Sequence, residues 1–569
     1  MLVQTRGVQT TLRFIELVVS IVFGFGQTVL KTVCSYWFVC LPVGLLLSTP
    51  AHAQENSAVT EIVEFGVKWT FENPVTAGKF ANGHYWVLAP VTLTAVLPSF
   101  DGSRNGWEVN PDNPKEQGFD ERGFNFDPGR VPTLPYTAST AQSIVKVASV
   151  TDKEKCRPCV RTVSVLTVLE SAPPDGGSSI FRPPYFGTEK LLISVDRLKM
   201  ELLPSYDRVR NTPSSRDISK RYAITHLDHQ STWVGRFLHP SEAMPDYGSD
   251  IANFNASSAL TLMVSVDTKE KHKALIRYVN NGIDLYYMMK GGVTWWPAGG
   301  HGEGRKLPIV FASVMLDIPE MLEHPAMSER RVFGENGGVA YSDKAGTVLY
   351  AQDYRSEKSY WKNLALDKGS RTIRDPYGYI DGGFRPGQSY QYCCLSKNWQ
   401  STVTVLQLMP ELQSGFGNSD LMEYVTRWER SGAWTQPDPC APMVGVCQGG
   451  RNAGRQCTSA NEDTVCGSVP GQCEYATSWS ANYGVTYGPD GAGSCIKDTD
   501  PSDGIGRFPQ LHGKNAGKGG HFDKFADTMR LEYVNDGKNV TLPSPDDNQA
   551  IGKESGLPGA PSWKKLEPD

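Results

Sequence analysis

The sequence predicts a multidomain α+β protein: an N-terminal antiparallel β-sandwich followed by an incomplete α/α toroid that carries a disulfide-rich insertion. Three observations lead there. Apolar and polar residues alternate strand-fashion from about residue 58 to 171, the apolar period lengthens to that of a helix beyond residue 188, and six cysteines crowd a Gly-, Asn- and Ser-rich stretch within residues 436–500.

Residues 1–53 read as a signal peptide. Lys31 precedes the apolar run VCSYWFVCLPVGLLLS, and Ala51-His52-Ala53 has the small-x-small form that signal peptidase cuts, so the mature chain is expected to begin near Gln54. An earlier apolar run, FIELVVSIVFGFGQTVL, makes the leader long. An uncleaved membrane anchor is the alternative, but each run is short for a spanning helix. The expectation is a secreted or periplasmic chain with no stable membrane insertion after cleavage. The 56 Lys and Arg and 61 Asp and Glu of the 569 residues become 53 and 60 when Arg6, Arg13, Lys31 and Glu16 leave with the leader. That balance, without a basic cluster, excludes nucleic acid as a partner, and any anionic ligand must be met by local cations.

Residues 54–171 supply the sandwich. FGVKWTF, HYWVLAPVTLTAVL, SIVKVASV and TVSVLTVLES are rich in Val, Thr and aromatics, and turn-forming residues separate them. Residues 172–187, with two Pro-Pro pairs and a Gly-Gly, read as a linker. Residues 188–535 supply the toroid. In KALIRYVNNGIDLYYMMKGG, Leu275, Tyr278, Val279, Ile283, Tyr286 and Met289 share one face; Arg277, Asn280, Asn281 and Asp284 share the other, and Gly291-Gly292 ends the helix. Further helices are expected in DIANFNASSALTLMVS, LPIVFASVMLD, YCCLSKNWQSTVTVLQLM and NSDLMEYVTRWERSG, the last with Ser419 as N-cap, and in GGHFDKFADTMRLEYV. RVFGENGGVAYSDKAGTVLYAQDY interrupts them as a β-hairpin. Residues 536–569 are a polar, Pro- and Gly-rich tail.

Of twelve cysteines, ten remain once Cys34 and Cys40 leave with the leader, an even number that favours disulfides in an exported chain. Cys156 and Cys159 suit a local staple. Cys440, Cys447, Cys457, Cys466, Cys473 and Cys495 sit where little apolar surface can be buried, so bridges must hold that segment, although sequence leaves their pairing open. Cys393 and Cys394 are adjacent, and either bridges or buried thiols suit them.

Three stretches concentrate His, Arg, Tyr and carboxylates where helices stop. The first holds His226, Asp228, His229, Trp233, Arg236, His239, Glu242, Asp246 and Tyr247. WWPAGGHGEGRK holds Trp295, Trp296, His301, Glu303, Arg305 and Lys306. The third holds Arg507, His512 and His521. Glycines around His301 permit close backbone approach, Arg305 and Lys306 open a helix whose N-terminal amides attract anions, and Trp295 and Trp296 offer faces that stack on sugar rings. The bland reading is a Gly-rich turn with core tryptophans and solvated cations.

This combination resembles exported bacterial polysaccharide-active proteins in which a β-sandwich accompanies an α/α toroid, the alginate-lyase-like and heparinase-like polysaccharide lyases. The resemblance lies in architecture and site composition, not in a signature motif. It implies β-elimination at a uronic acid of an acidic polysaccharide. In that chemistry Arg305 or Arg236 neutralises the carboxylate, His301 or His229 removes the adjacent proton, and Tyr247 protonates the leaving oxygen; Glu242, Asp246, Trp295, Trp296, Lys306, Arg507 and His512 complete the substrate cleft. A glycoside hydrolase is the alternative, with Glu242 and Asp246, or Asp381, as its two carboxylates. His226, His229 and His239 form a weak zinc set and calcium is also open, but no cofactor is expected. A Ser-His-Asp hydrolase lacks its G-x-S-x-G. A third class is a non-catalytic glycan-binding surface protein. Oligomeric state is not legible.

Overall fold

The computed structural model describes residues 57–152, 154–265, 268–296, 300–342, 347–350, 395–431 and 523–534, with short runs between 445 and 497. The expected leader and tail lie outside the described residues, as do Asp381, Arg507, His512 and His521.

The N-terminal strands are β1 (Ser57–Glu64), β2 (Val67–Lys79), β3 (Tyr85–Leu88), β4 (Val91–Leu97), β5 (Trp107–Val109), β6 (Tyr136–Ala138), β7 (Gln142–Ser149) and β8 (Val160–Leu169). They form one eight-stranded sheet in the order β5-β7-β8-β3-β2-β4-β6, with β1 on β2. All pairs are antiparallel except β3 with β8. Strand alternation works as expected in β2, where Val67, Trp69 and Phe71 are buried and Lys68 and Thr70 only partly so. Phe65 and Gly66, at φ 49° and 74°, make the two-residue turn into it, the left-handed pair that suits the twist of a hairpin. The sheet curls into a half-barrel, and Ile62, Trp69, Leu93, Trp107, Ile144 and Leu166, from six strands, share its core.

β7 and β8 are buried along nearly their whole length because both faces are covered. Ile144, Leu166 and Val168 point into the half-barrel, whereas Val145, Val147, Val163 and Val165 point the other way, into a core built largely from helices. Each such buried side chain contributes roughly 1.5–3 kcal/mol as an upper figure. Residues 172–187 are no free tether: Ile180, Phe181, Tyr185 and Phe186 are buried, and β9 (Ile180–Phe181) pairs with β10 (Ile193–Ser194). The Pro and Gly content that suggested a linker sets up this tight crossing instead.

The longer helices are α1 (Ser215–Arg221), α2 (Gly248–Leu262), α3 (Thr268–Lys290), α4 (Lys306–Leu316), α5 (Ser396–Leu408), α6 (Ser419–Ser431) and α7 (Lys524–Tyr533). α3 packs on α4 and α2 on α5. α3 stops where Gly291-Gly292 predicts, with Gly292 at φ 91°. The cap of α6 is Asn418, whose Oδ1 accepts from the Leu421 amide at 3.0 Å, one residue before the expected Ser419. The predicted hairpin forms as Val339–Ser342 paired with Thr347–Tyr350.

Disulfides join Cys156 to Cys159, Cys447 to Cys466 and Cys457 to Cys473. Cys393, Cys394 and Cys440 lie outside the described residues. Among the described residues, no helix is long and apolar enough to cross a membrane.

Candidate functional site

The loop before α4 and the segment before α2 meet, and four residues singled out in the sequence come together there. Tyr247 precedes the first turn of α2, and its hydroxyl oxygen accepts from the Gly300 amide at 2.9 Å. The ring of half-buried His301 stands edge-on to the Tyr247 ring, with centroids 4.8 Å apart. The Arg236 guanidinium lies 5.2 Å from the centroid of the same tyrosine. Arg236 also pairs with Asp246, at 2.6 and 3.1 Å, and Arg157 reaches the same carboxylate oxygen at 3.0 Å. Two guanidiniums thus share one carboxylate beside His301, leaving a local excess of positive charge. Burial, then Arg236 and Arg305, push the His301 pKa down to about 3, against the pull of Asp246. The imidazole is therefore neutral at physiological pH.

Arg305 sits behind this rim rather than in it. It is buried, and its Nε and Nη2 bind Asp228 at 2.7 and 3.2 Å while Nη1 donates to the carbonyls of His301 and Glu303. Asp228 also accepts from His239 Nε2 at 2.9 Å, and the Trp295 indole donates to the Asp228 carbonyl at 3.2 Å. Burial alone raises the Asp228 pKa, but Arg305 and His239 outweigh it and hold the carboxyl well below the usual range. Arg305 thereby positions the His301 loop, and its charge is spent on Asp228. Of the two arginines, Arg236 is the one against the Tyr247 ring.

His229 does not join the rim. It is buried among the rings of Phe119, Tyr185 and Phe186, with Nδ1 3.4 Å from the Tyr185 hydroxyl, so no polymer reaches it as a base. Trp295 is also core, 1% exposed and stacked on Phe333 at 5.8 Å, and so offers no sugar platform. Trp296 is half-buried. Lys306 is buried, donating to Asn336 at 2.5 Å beside the Phe416 ring, and burial lowers its pKa to about 8. The acceptor at this helix N-terminus is the protein's own: the Gly304 amide donates to Glu335 Oε1 at 2.6 Å. Gly304 has φ 93°, and a Cβ there would lie 2.5 Å from the Ala252 backbone, so glycine is needed.

Of the hydrolase carboxylates, Glu242 and Asp246 are committed to partners. Glu242 pairs with Arg161 at 2.8 Å, and Asp246 is held by its two arginines. The zinc set is not assembled either. His226 Nε2 donates to the Arg221 carbonyl, while both His239 nitrogens are engaged, by Asp228 and the Pro245 carbonyl. Among the described residues, the metal-like grouping is Cys447, Cys457 and Cys466, and their sulfurs are close because two disulfides bring them together.

Trp233 was only one aromatic in a list by sequence, yet it is 43% exposed, meets Phe124 at 4.8 Å, and lies on the same short 3-10 helix as Arg236. A second feature hidden in sequence is the fully buried pair Glu303 and Glu335. Burial raises both pKa values, with repulsion from Glu335 adding to it at Glu303, while the Trp399 indole donates to Glu303 at 2.7 Å. No protein-family model, curated protein or solved structure matches this chain.

Proposed function

We propose that this chain is an exported polysaccharide-degrading enzyme that cleaves a uronate-containing polymer by β-elimination, with His301 as the base. The observation that carries the reading is a neutral imidazole set edge-on to a tyrosine, beside two arginines that share one carboxylate. Arg236, with Arg157, meets the uronate carboxylate and makes the adjacent C–H more acidic. His301 takes that proton; the electron pair forms the carbon–carbon double bond and expels the glycosidic oxygen, which takes the Tyr247 proton. His301 ends protonated and Tyr247 ionised, and the proton returns between the two facing rings. Trp233 supplies the flat exposed surface on which a neighbouring sugar stacks.

The sandwich-plus-toroid architecture belongs to this proposal, supported by the curled sheet and the packing of α3 on α4. Export is supported by the disulfides. The hydrolase reading is weaker, because Glu242 and Asp246 are tied in ion pairs. The test is to incubate the purified protein with alginate, glucuronan, ulvan, pectate and glycosaminoglycans while following the ultraviolet absorbance of unsaturated uronates. A rise supports elimination; new reducing ends without it support hydrolysis, and neither signal supports a binding protein.

A further inference from the structure

A polar cavity lies between the sheet and α3, lined by residues outside the proposed catalytic rim. It has about 220 Å³ of empty space with its open mouth included, so the enclosed part is smaller and suits one compact group rather than a sugar ring. Its walls come from the β2–β3 turn, the chain after β9, the segment after α1, and the polar face of α3.

Four buried polar groups on these walls have an atom with no protein partner: Arg182 Nε, Asn281 Nδ2, the Thr225 hydroxyl and His84 Nδ1. Leaving such atoms bare is destabilising, most of all for a charged group. Their roles are fixed by what surrounds them. His84 Nε2 is 2.7 Å from the Ala223 carbonyl and must donate to it, so in the neutral ring Nδ1 is an acceptor. Arg182 Nε and Asn281 Nδ2 are donors, and the threonine hydroxyl is either. The charge also leaves a remainder. Arg182 is paired with Asp284, whereas the bonds of Arg277 run to the Asn82 carbonyl and to Ser219, so the lining holds two arginines against one carboxylate, with Glu270 acting on Arg277 only from outside the lining.

We infer that this cavity is a binding site for one compact oxyanion that carries a proton, of the hydrogen phosphate or bicarbonate type. Its oxygens accept from Arg182, Asn281 and Thr225, its O–H donates to His84 Nδ1, and its charge offsets Arg277. An anion without a proton, such as sulfate or chloride, leaves the His84 acceptor bare and binds more weakly.

The experiment is titration calorimetry of the full chain at pH 7 and constant ionic strength with inorganic phosphate, bicarbonate, sulfate and chloride. It is repeated on Asn281→Asp, which removes the positive excess, and Thr225→Val, which removes one hydroxyl at nearly constant shape. Circular dichroism confirms that each variant is folded. The expected result is saturable binding of phosphate or bicarbonate, with sulfate and chloride weaker by on the order of tenfold or more, loss of binding in Asn281→Asp, and a loss on the order of tenfold in Thr225→Val. Which of the two preferred anions binds more tightly identifies the ligand. Equal response to all four anions, binding unchanged in the variants, or no binding at all overturns the inference; the last leaves a cavity that holds ordered water only.

Discussion

Asp228 and Arg305, separated by 77 positions in the chain, form a two-point ion pair at 2.7 and 3.2 Å in the interior, and His239 and the His301 loop hang on the same pair. Breaking one side of a buried pair strands the other charge. Asp228→Asn is therefore expected to cost about 3–5 kcal/mol of unfolding free energy, measured by urea denaturation. A cost below about 1 kcal/mol contradicts the buried pairing.

The half-barrel contains two groups that resist ionisation. Glu64, bonded to Ser164 at 2.7 Å, has its pKa pushed up to about 7 chiefly by burial. Its folded form holds a proton that the unfolded chain gives up near the ordinary 4.5, so stability is lost as pH rises from there to 7. Glu64→Gln is expected to raise stability at pH 8 by about 3 kcal/mol and to change little below pH 4. Thermal unfolding across that range checks it.

Lys146 has the opposite sign. Burial lowers its pKa to about 7, while its Nζ donates to the Asn105 carbonyl. The unfolded chain binds the proton near 10.5, so the folded state loses stability as pH falls from there to 7. Lys146→Met is expected to be more stable than the native chain at pH 7, with a gain that shrinks toward pH 10.5. A gain independent of pH contradicts the desolvation account.

Trp233→Ala removes an exposed ring, so turnover at saturating polymer is expected to persist while KM rises on the order of tenfold, about the contribution of one stacked aromatic. A fall in kcat with KM unchanged places Trp233 in the chemistry instead. Peptide mapping without reductant is expected to recover Cys447 with Cys466 and Cys457 with Cys473.

Sequence period located β2, β3, β4, β7 and β8 and the C-terminal end of α3, because hydrophobic spacing and the Gly291-Gly292 stop act locally, but it missed β1 and the short β5 and β6. Long-range burial left no such mark. His229, Trp295 and Lys306 look like rim residues in one dimension, and each is covered by residues far away, such as Phe119, Phe333 and Asn336. The polar face of α3 is not turned to solvent: Asn280, Asn281 and Asp284 are buried against the segment that holds Arg182. The convergence of Tyr247 with His301 was legible only as two clusters at helix ends; their contact required the fold.

The central claim is that His301 removes a proton next to a uronate carboxylate. It is tested most directly by comparing the native chain with His301→Ala on the polymer that gives the unsaturated product, with polymer binding measured in parallel. The account predicts that elimination falls at least about a hundredfold while binding changes by less than about threefold. Undiminished elimination in His301→Ala, or equal loss of binding and turnover, contradicts it.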